Sequence, residues 1–465
     1  MISYRGKRYS SFAEYEMAKA KYDIREDELI NFTPDVSLQK KENIPDVTFQ
    51  RKELYVRGLS GLKNMGNTCY MNSIIQCLSS ISIFRTYIIN IDNFLTRLEH
   101  NVLMKMATEK RKQKSLPETS HVQLSKKMAR SNCEDSLVIK LSELLTAMWK
   151  QNREVEPRDF KKIIGKYCSM FNGYNQNDSQ ELLNLILDTI HEELKSEVLV
   201  KFQNIPKGVS YYLDVQSECN NKANDETLSL EERQKYLDYL KHYTVSHRDD
   251  SIIANAYVYW KNYIQKSHSI ISDLFTGLFY SKIICSVCNA VTGAFEPFTT
   301  LSLQTKETGE TTLEESLDSF VKEELLCGDN QYHCSDCKKK VDATKKMHIW
   351  SPPNVLIVQL KRFKSDTKYE TKTTSKVVFP TNNLDLKNYL SDLHSVNKTK
   401  YDLVAISEHR GTCNFGHYVA YCKNDINNKW YEFNDDDVFH VPYSELESEI
   451  VTENAYILFY VKQLN

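Results

Sequence analysis

Apolar residues recur at helical spacing over the first half of the chain. Met71, Ile74, Ile75, Leu78 and Ile81 predict a helix running on from Cys69. Leu137, Leu141, Leu144, Leu145 and Met148, with Trp149 at the end, predict a second. A third begins near Asp178. There Asp178-Ser-Gln-Glu181 has the form of an N-terminal capping box, and Leu182, Leu185, Ile186, Thr189 and Ile190 form the buried stripe. From about Ile270 the helical period gives way to short runs rich in β-branched and aromatic residues. These are V-L-I-V-Q-L-K-R-F (355–363), Y-D-L-V-A-I-S-E (401–408), H-Y-V-A-Y-C (417–422), K-W-Y-E-F (429–433) and A-Y-I-L-F-Y-V (455–461). Helices first and strands later predict an α+β fold.

Between these elements the pattern lapses. Residues 1 to about 56 look peripheral. Ser11–Tyr22 can form one helix, and the polar stretch with Pro34 and Pro45 reads as a flexible arm or a dedicated binding element. Lys105–Arg130 is basic and polar and reads as a solvated insertion loop in preference to an anionic-surface contact. About 55 mixed residues after Leu194 look like a second insertion.

Composition narrows the class. The 465 residues are 41% hydrophobic, enough for a large core. Sixty Lys and Arg against 62 Asp and Glu leave a net charge of −2, which argues against a generally basic nucleic-acid binder. No run reaches the ~18 apolar residues that would span a bilayer, and no apolar core follows the basic residues at the N-terminus. The expectation is a soluble intracellular protein, cytoplasmic or nuclear, with no membrane partner and no specific nucleic acid. The basic run Lys110–Lys114 is a nuclear-import motif candidate. In such a compartment the 12 cysteines should be thiols or metal ligands.

Three constellations carry chemistry. In G-L-K-N-M-G-N-T-C-Y-M-N-S (61–73), Cys69 stands where the first helix should begin. A thiol there feels the positive end of the helix dipole and free backbone N–H groups, which favour thiolate and can bind an oxyanion. Asn64 can lend a side-chain amide to that anion. Taken alone, Cys69 reads as a small core residue in preference to a catalytic one. The second constellation is His417, opening a strand, with Asn434 and Asp435 ending the next, a base and its orienting partner for a thiol nucleophile. A strand-end histidine satisfied by solvent is the plainer alternative. The third is Cys285-Ser-Val-Cys288 and Cys334-Ser-Asp-Cys337, about 45 residues apart at the tips of long hairpins. Four thiolates in that pairing suit a closed structural Zn²⁺ site; a redox C-x-x-C would need a thioredoxin-like βαβ context, and none is visible.

In order along the chain, these motifs resemble the ubiquitin-specific protease family of cysteine deubiquitinases. The resemblance rests on the cysteine box, on F-N-G-Y-N-Q-N-D-S-Q-E-L-L (171–183), on D-L-F-T-G (273–277), on the paired knuckles and on the G-H-Y-V-A-Y and W-Y-E-F-N-D strands. It implies a papain-like α+β fold with fingers, palm and thumb. An N-terminal extension would cover 1–57 and a catalytic domain 58–465. Within that domain it implies a thumb over about 58–200, an insertion over about 196–250, zinc fingers over about 270–348 and palm strands largely over 349–465. It implies hydrolysis of the bond after the C-terminal glycine of ubiquitin through an acyl-enzyme thioester. Cys69 would be the nucleophile, His417 the base and then acid, Asn434 the orienter with Asp435 beside it, and Asn64 the oxyanion amide. Asp178 would help hold ubiquitin's basic tail, and 409–416 would be a loop over the cleft. Zn²⁺ would be structural. Partners would be ubiquitin and ubiquitinated proteins, with the arm and insertions offering surface to a regulatory partner. A protease for a ubiquitin-like modifier such as SUMO, or a ubiquitin-binding scaffold with misaligned groups, is the alternative. Two positions depart from the family: Asn177 where a second glutamine is usual, and Leu182 where an aromatic is usual.

Overall fold

Helices supply most of residues 69–274 and strands most of residues 277–462. The computed structural model describes residues 2–4, 7–9, 56–113, 131–202, 205–365, 370–393, 396, 398–413 and 415–463. The helix expected over Ser11–Tyr22 and the stretch 114–130 lie outside the described residues.

The first helix, α1 (Cys69–Ser80), is buried from Cys69 through Ser79. The apolar stripe alone would cover only one face, so the polar residues on the other face must be paired inside the protein. Most are: Asn72 Nδ2 donates to Leu62 O (3.0 Å), Gln76 Nε2 to Ser60 O (2.8 Å), and Ser73 Oγ meets Ser407 Oγ (3.1 Å), while Asn72 Oδ1 is left without a hydrogen bond. Trp149 Nε1 donates to Ser79 Oγ at 2.7 Å. Around α1 pack α2 (Ser82–Ile89), α3 (Leu95–Gln113), α4 (Leu137–Lys150), α5 (Arg158–Tyr167) and α6 (Ser179–Leu194). Helix α3 runs through Lys105–Gln113, so the basic run expected to be loop is helical for its first part. Asp178 caps α6 by accepting Gln180 N–H at 2.6 Å; this is a single-sided cap, not the reciprocal box that the sequence suggests. The residues expected to form an insertion, about 196–250, fold into α7 (Lys207–Ala223) and α8 (Leu230–Ser246); α9 (Arg248–Lys266) follows beyond that bound, and α7 and α9 meet around Val209, Tyr212 and Ala254. The short α10 (Ile270–Leu274) leads into the strands.

Strands β1 (Ile2–Tyr4) and β2 (Lys7–Tyr9) pair as a hairpin. The first extended sheet runs β4-β3-β10-β7, formed by β3 (Gly277–Cys285), β4 (Val291–Phe298), β7 (Glu324–Leu326) and β10 (Ala343–Ser351). The eight-stranded sheet contains β5 (Thr300–Gln304), β11 (Val355–Lys361), β15 (Leu384–Asp385), β16 (Lys400–Gly411), β17 (Gly416–Lys423), β18 (Trp430–Asn434), β19 (Asp437–Val441) and β20 (Ala455–Lys462). Its order is β19-β18-β17-β16-β20-β11-β5, with β15 paired to β16. Only β5 on β11 is parallel within it. The short pairs β6 (Glu310–Thr312) with β14 (Lys376–Val378), β8 (Tyr332–Cys334) with β9 (Lys339–Val341), and β12 (Phe363–Ser365) with β13 (Glu370–Lys372) complete the strands among the described residues.

The eight-stranded sheet is covered on both sides, which is why its strands read as nearly unbroken apolar runs. Ile357, Ala420, Phe433 and Phe459 join the helical cluster around α1. Val358, Val419, Tyr421, Leu458 and Tyr460 join a second cluster with α11 (Leu313–Phe320) and α12 (Leu446–Ile450). Each such Val, Leu, Ile or Phe side chain withdrawn from water contributes about 1.5–3 kcal/mol, so helix α1 and strand β17 are held in a fixed relation by the core beneath the site.

Candidate active site and candidate metal site

Two junctions place the chemistry. At the first, Leu62 N–H donates to Asp435 O (2.7 Å), stitching the cysteine box to the turn between β18 and β19, and Lys63 N–H donates to Val155 O (2.9 Å), tying it to the segment between α4 and α5. The approach is so close that a Cβ on Gly61 would sit 2.0 Å from Asp436 O; only glycine fits there. At the second, Cys69 is the first residue of α1, with the Thr68 carbonyl accepting the N–H groups of Met71 (3.0 Å) and Asn72 (2.9 Å). Asn64 shapes the approach to it. Its Oδ1 accepts Gly66 N–H (3.0 Å) and Thr68 N–H (3.1 Å), while its Nδ2 donates to Asp435 Oδ2 (2.8 Å).

His417, near the start of β17, faces this helix end. Its Nε2 lies 2.6 Å from Asn434 Oδ1, which leaves Nδ1 for the thiol. The Cys69 side chain is the largest influence on the ring and raises its pKa to about 9, against a smaller opposing push from partial burial; Asn434 and the Asp435 charge add to the rise. Asp435 is less an imidazole partner than an organiser. It stands 3.9 Å from His417 Nε2, and its carboxylate accepts Asn64 Nδ2 and Asn72 Nδ2, each at 2.8 Å. Its backbone turns through φ 53°, a left-handed conformation that aspartate tolerates better than most residues. Cys69, His417, Asn434, Asp435 and Asn64 therefore form one cluster drawn from the two ends of the chain.

Asp178 lies to one side. Tyr456 Oη donates to both of its oxygens (3.0 and 2.8 Å), and burial lifts its pKa in spite of these bonds. Three residues of the surroundings are not legible as site residues from spacing. Asn72 is a polar residue one turn into an apolar helix, and that interruption of the apolar run was the signal the sequence offered. Tyr456 is hidden in an apolar strand. Gln176, in the middle box, uses its amide to hold Gly416: Nε2 donates to Gly416 O (2.7 Å), and Gly416 N–H donates to Oε1 (3.1 Å).

About the other sheet's far end, Cys285, Cys288, Cys334 and Cys337 bring four sulfurs within 4.8 Å of one another. The two C-x-x-C turns are built alike. Asn289 N–H returns to Cys285 O (3.0 Å) and Lys338 N–H to Cys334 O (2.8 Å), with Asn289 and Lys338 left-handed at φ 55° and 51°. Backbone N–H groups of Val287 (3.4 Å) and Cys288 (3.5 Å) point at Cys285 Sγ, and that of Cys337 (3.4 Å) at Cys334 Sγ. The Cys288 N–H leads in holding the Cys285 thiol down at about 7. This donor set can hold a metal ion. Only the first knuckle caps a long hairpin, β3–β4; the second sits on the three-residue strands β8 and β9, a correction to the expectation of two long arms.

A thiol at a helix start, an imidazole and an amide oxygen in this relation are the parts of a cysteine-dependent acyl-transfer site on an α+β scaffold. The profile of the family described as ubiquitin carboxyl-terminal hydrolase matches residues 60–460, and the chain belongs to that family. It is 32% identical over 408 residues to ubiquitin carboxyl-terminal hydrolase 2 of Homo sapiens, covering 87% of this chain and 55% of the relative. To the Gallus gallus protein of the same name it is 34% identical over 414 residues, covering 88% of this chain and 95% of that one. The chain thus spans about half the length of the mammalian relatives it matches. Among solved structures it resembles a chain in the SAGA Ubp8/Sgf11/Sus1/Sgf73 DUB module bound to ubiquitin aldehyde. That likeness has a TM-score of 0.54 and 26% identity over 87% of this chain and 70% of that one. A second likeness, to a chain of the same SAGA DUB module bound to monoubiquitin, has a TM-score of 0.57 and 25% identity, covering 98% of this chain and 76% of that one. Among the described residues no helix is long and apolar enough to cross a membrane.

Proposed function

We propose that this chain is a deubiquitinating cysteine hydrolase. The observation that carries the reading is His417 held between the Cys69 thiol and Asn434 Oδ1 at the start of α1. The imidazole takes the thiol proton, and Cys69 attacks the carbonyl of ubiquitin's terminal glycine. The oxyanion that forms is met by the N–H groups at the start of α1 and by Asn64 Nδ2, which Asp435 keeps aimed. His417 then returns its proton to the departing amine, and Asn434 holds the ring in one orientation through both transfers. Water hydrolyses the thioester by the same route in reverse. Asp178 supplies a carboxylate beside the cleft for the basic residues of the ubiquitin tail. The four cysteines would hold Zn²⁺ as a structural ion that ties the two knuckles together, a role that supplies no chemistry to the cleavage.

A ubiquitin probe carrying an electrophile at its C-terminus tests the reading, alongside matching SUMO-based probes. Covalent capture of ubiquitin at Cys69, lost in Cys69→Ala, is the expected result. Capture of the SUMO probe alone, or of neither, sinks it.

A further inference from the structure

His417 is placed by the backbone before it as well as by Asn434. Gly416 immediately precedes it and is gripped from two sides. Beneath, a Cβ on Gly416 would lie 2.1 Å from His409 Nε2, so the glycine backbone rests directly on that ring. His409 is itself immobilised between Phe363 and Tyr418, at ring separations of 5.2 and 4.6 Å, and burial holds it neutral by lowering its pKa to about 4. Above, the Gln176 amide makes two hydrogen bonds to the Gly416 backbone, at 2.7 and 3.1 Å, copying the pairing of an added strand. Gln176 belongs to the other half of the molecule. Two residues before it, Tyr174 O accepts Asn67 Nδ2 at 2.7 Å, and Asn67 is two residues before Cys69. Two residues after it, Asp178 caps α6. A short relay thus runs from Asn67 through Tyr174 and Gln176 to Gly416, with Cys69 close to one end and His417 adjoining the other.

We infer that Gln176 is a positioning residue that sets the separation of Cys69 and His417 by clamping Gly416 to the cysteine box across the cleft. The inference rests on the reading of His417 as the partner of Cys69. The groups facing the imidazole are Cys69, Asn434 and Asp435, with neutral His409 behind, and Gln176 touches none of the reacting atoms. Its side chain is exposed, so its replacement removes two hydrogen bonds without opening a cavity.

The test uses the full chain and two readouts. The first is the rate at which chloroacetamide alkylates Cys69, followed by mass spectrometry from pH 5 to 10; it reports the thiol–imidazole pair without any ubiquitin. The second is hydrolysis of a fluorogenic C-terminal amide of ubiquitin. Gln176→Ala should slow alkylation near pH 7 on the order of tenfold and shift its pH profile, because a thiol without its imidazolium neighbour is less ionised. It should lower kcat by about 10- to 100-fold with KM within about twofold, the scale of loss expected when a reacting group is misplaced. Gln176→Glu keeps the acceptor for Gly416 N–H and loses the donor to Gly416 O, so it should fall between wild type and Gln176→Ala. Two results overturn the inference: an alkylation profile in Gln176→Ala that coincides with wild type at every pH, or a rise in KM alone, which would place Gln176 on the substrate. If ubiquitin is not the substrate, the alkylation readout still decides the role of Gln176.

Discussion

An imidazole titrating near 9 must gain something when charged that it loses when neutral, and here the gain comes first from Cys69. Because the folded-state value lies above the ordinary one, the pairing stabilises fully below about pH 6.5 and is lost as pH rises through about 9. The ring is 40% exposed, so this effect on stability is small, and its consequence belongs to reactivity. The alkaline limb of kcat for ubiquitin-amide hydrolysis should therefore fall near pH 9. Asn434→Ala removes the acceptor at Nε2. It should move that limb to lower pH and reduce kcat by about 10- to 100-fold through loss of ring orientation, measured as a pH–rate profile. A profile that Asn434→Ala leaves unmoved would show that the ring is held by other groups. At this scale residue type was informative and pairing was not. His417 and Asn434 could be named from their strands, but Asp435 turns its carboxylate to two asparagines, a choice set by the left-handed turn and invisible in the string W-Y-E-F-N-D-D-D.

At the scale of the element, long periodic runs were legible because one stripe of apolar residues suffices to predict a helix. Helix α1 shows the limit of that inference: it is buried on every side, and its polar positions find partners contributed by Ser60, Leu62, Trp149 and Ser407 from distant parts of the chain. Strand β19 was missed because D-V-F-H-V follows an acidic turn and only Val441 of it is buried. Two predictions live here. Gly61→Ala forces a side chain into the Asp436 carbonyl and should destabilise the protein by about 1–3 kcal/mol, as overpacking does. Because the displaced backbone also carries Leu62 N–H to Asp435 O, turnover should fall more than stability does. Urea unfolding and kcat measured on the same preparation check both. At the other sheet, Cys285→Ser removes one of four sulfurs that lie within 4.8 Å and so should weaken the site's hold on a metal ion, read as a lower metal content than wild type by metal analysis. Limited proteolysis should then cut between β7 and β10 first, while the folded helical layer persists.

Across the whole molecule, the eight-stranded sheet carries a charge cost at its centre that no local pattern announces. Glu408 lies in β16, only 1% exposed, after the apolar run L-V-A-I (403–406) and before His409 and Arg410. Thr452 Oγ1 donates to it at 2.6 Å and Arg410 Nε approaches at 3.4 Å, yet Arg410 is shared with Glu432 at 3.0 Å. Burial outweighs these contacts and pushes the Glu408 carboxyl up to about 7. An acid whose folded value is raised binds more protons when folded than when unfolded between its two pKa values. Stability therefore falls as pH rises across that interval, from about 4.5 to about 7. The span corresponds to a loss on the order of 3 kcal/mol. Glu408→Gln keeps the size of the side chain and removes its ionisation. Its stability relative to wild type should climb from pH 5 to about pH 7 and level off above that in urea unfolding, with the two proteins most alike at the acid end. Parallel curves would mean that Arg410 and Thr452 already compensate the buried carboxylate, and that the sheet's centre bears no ionisation cost.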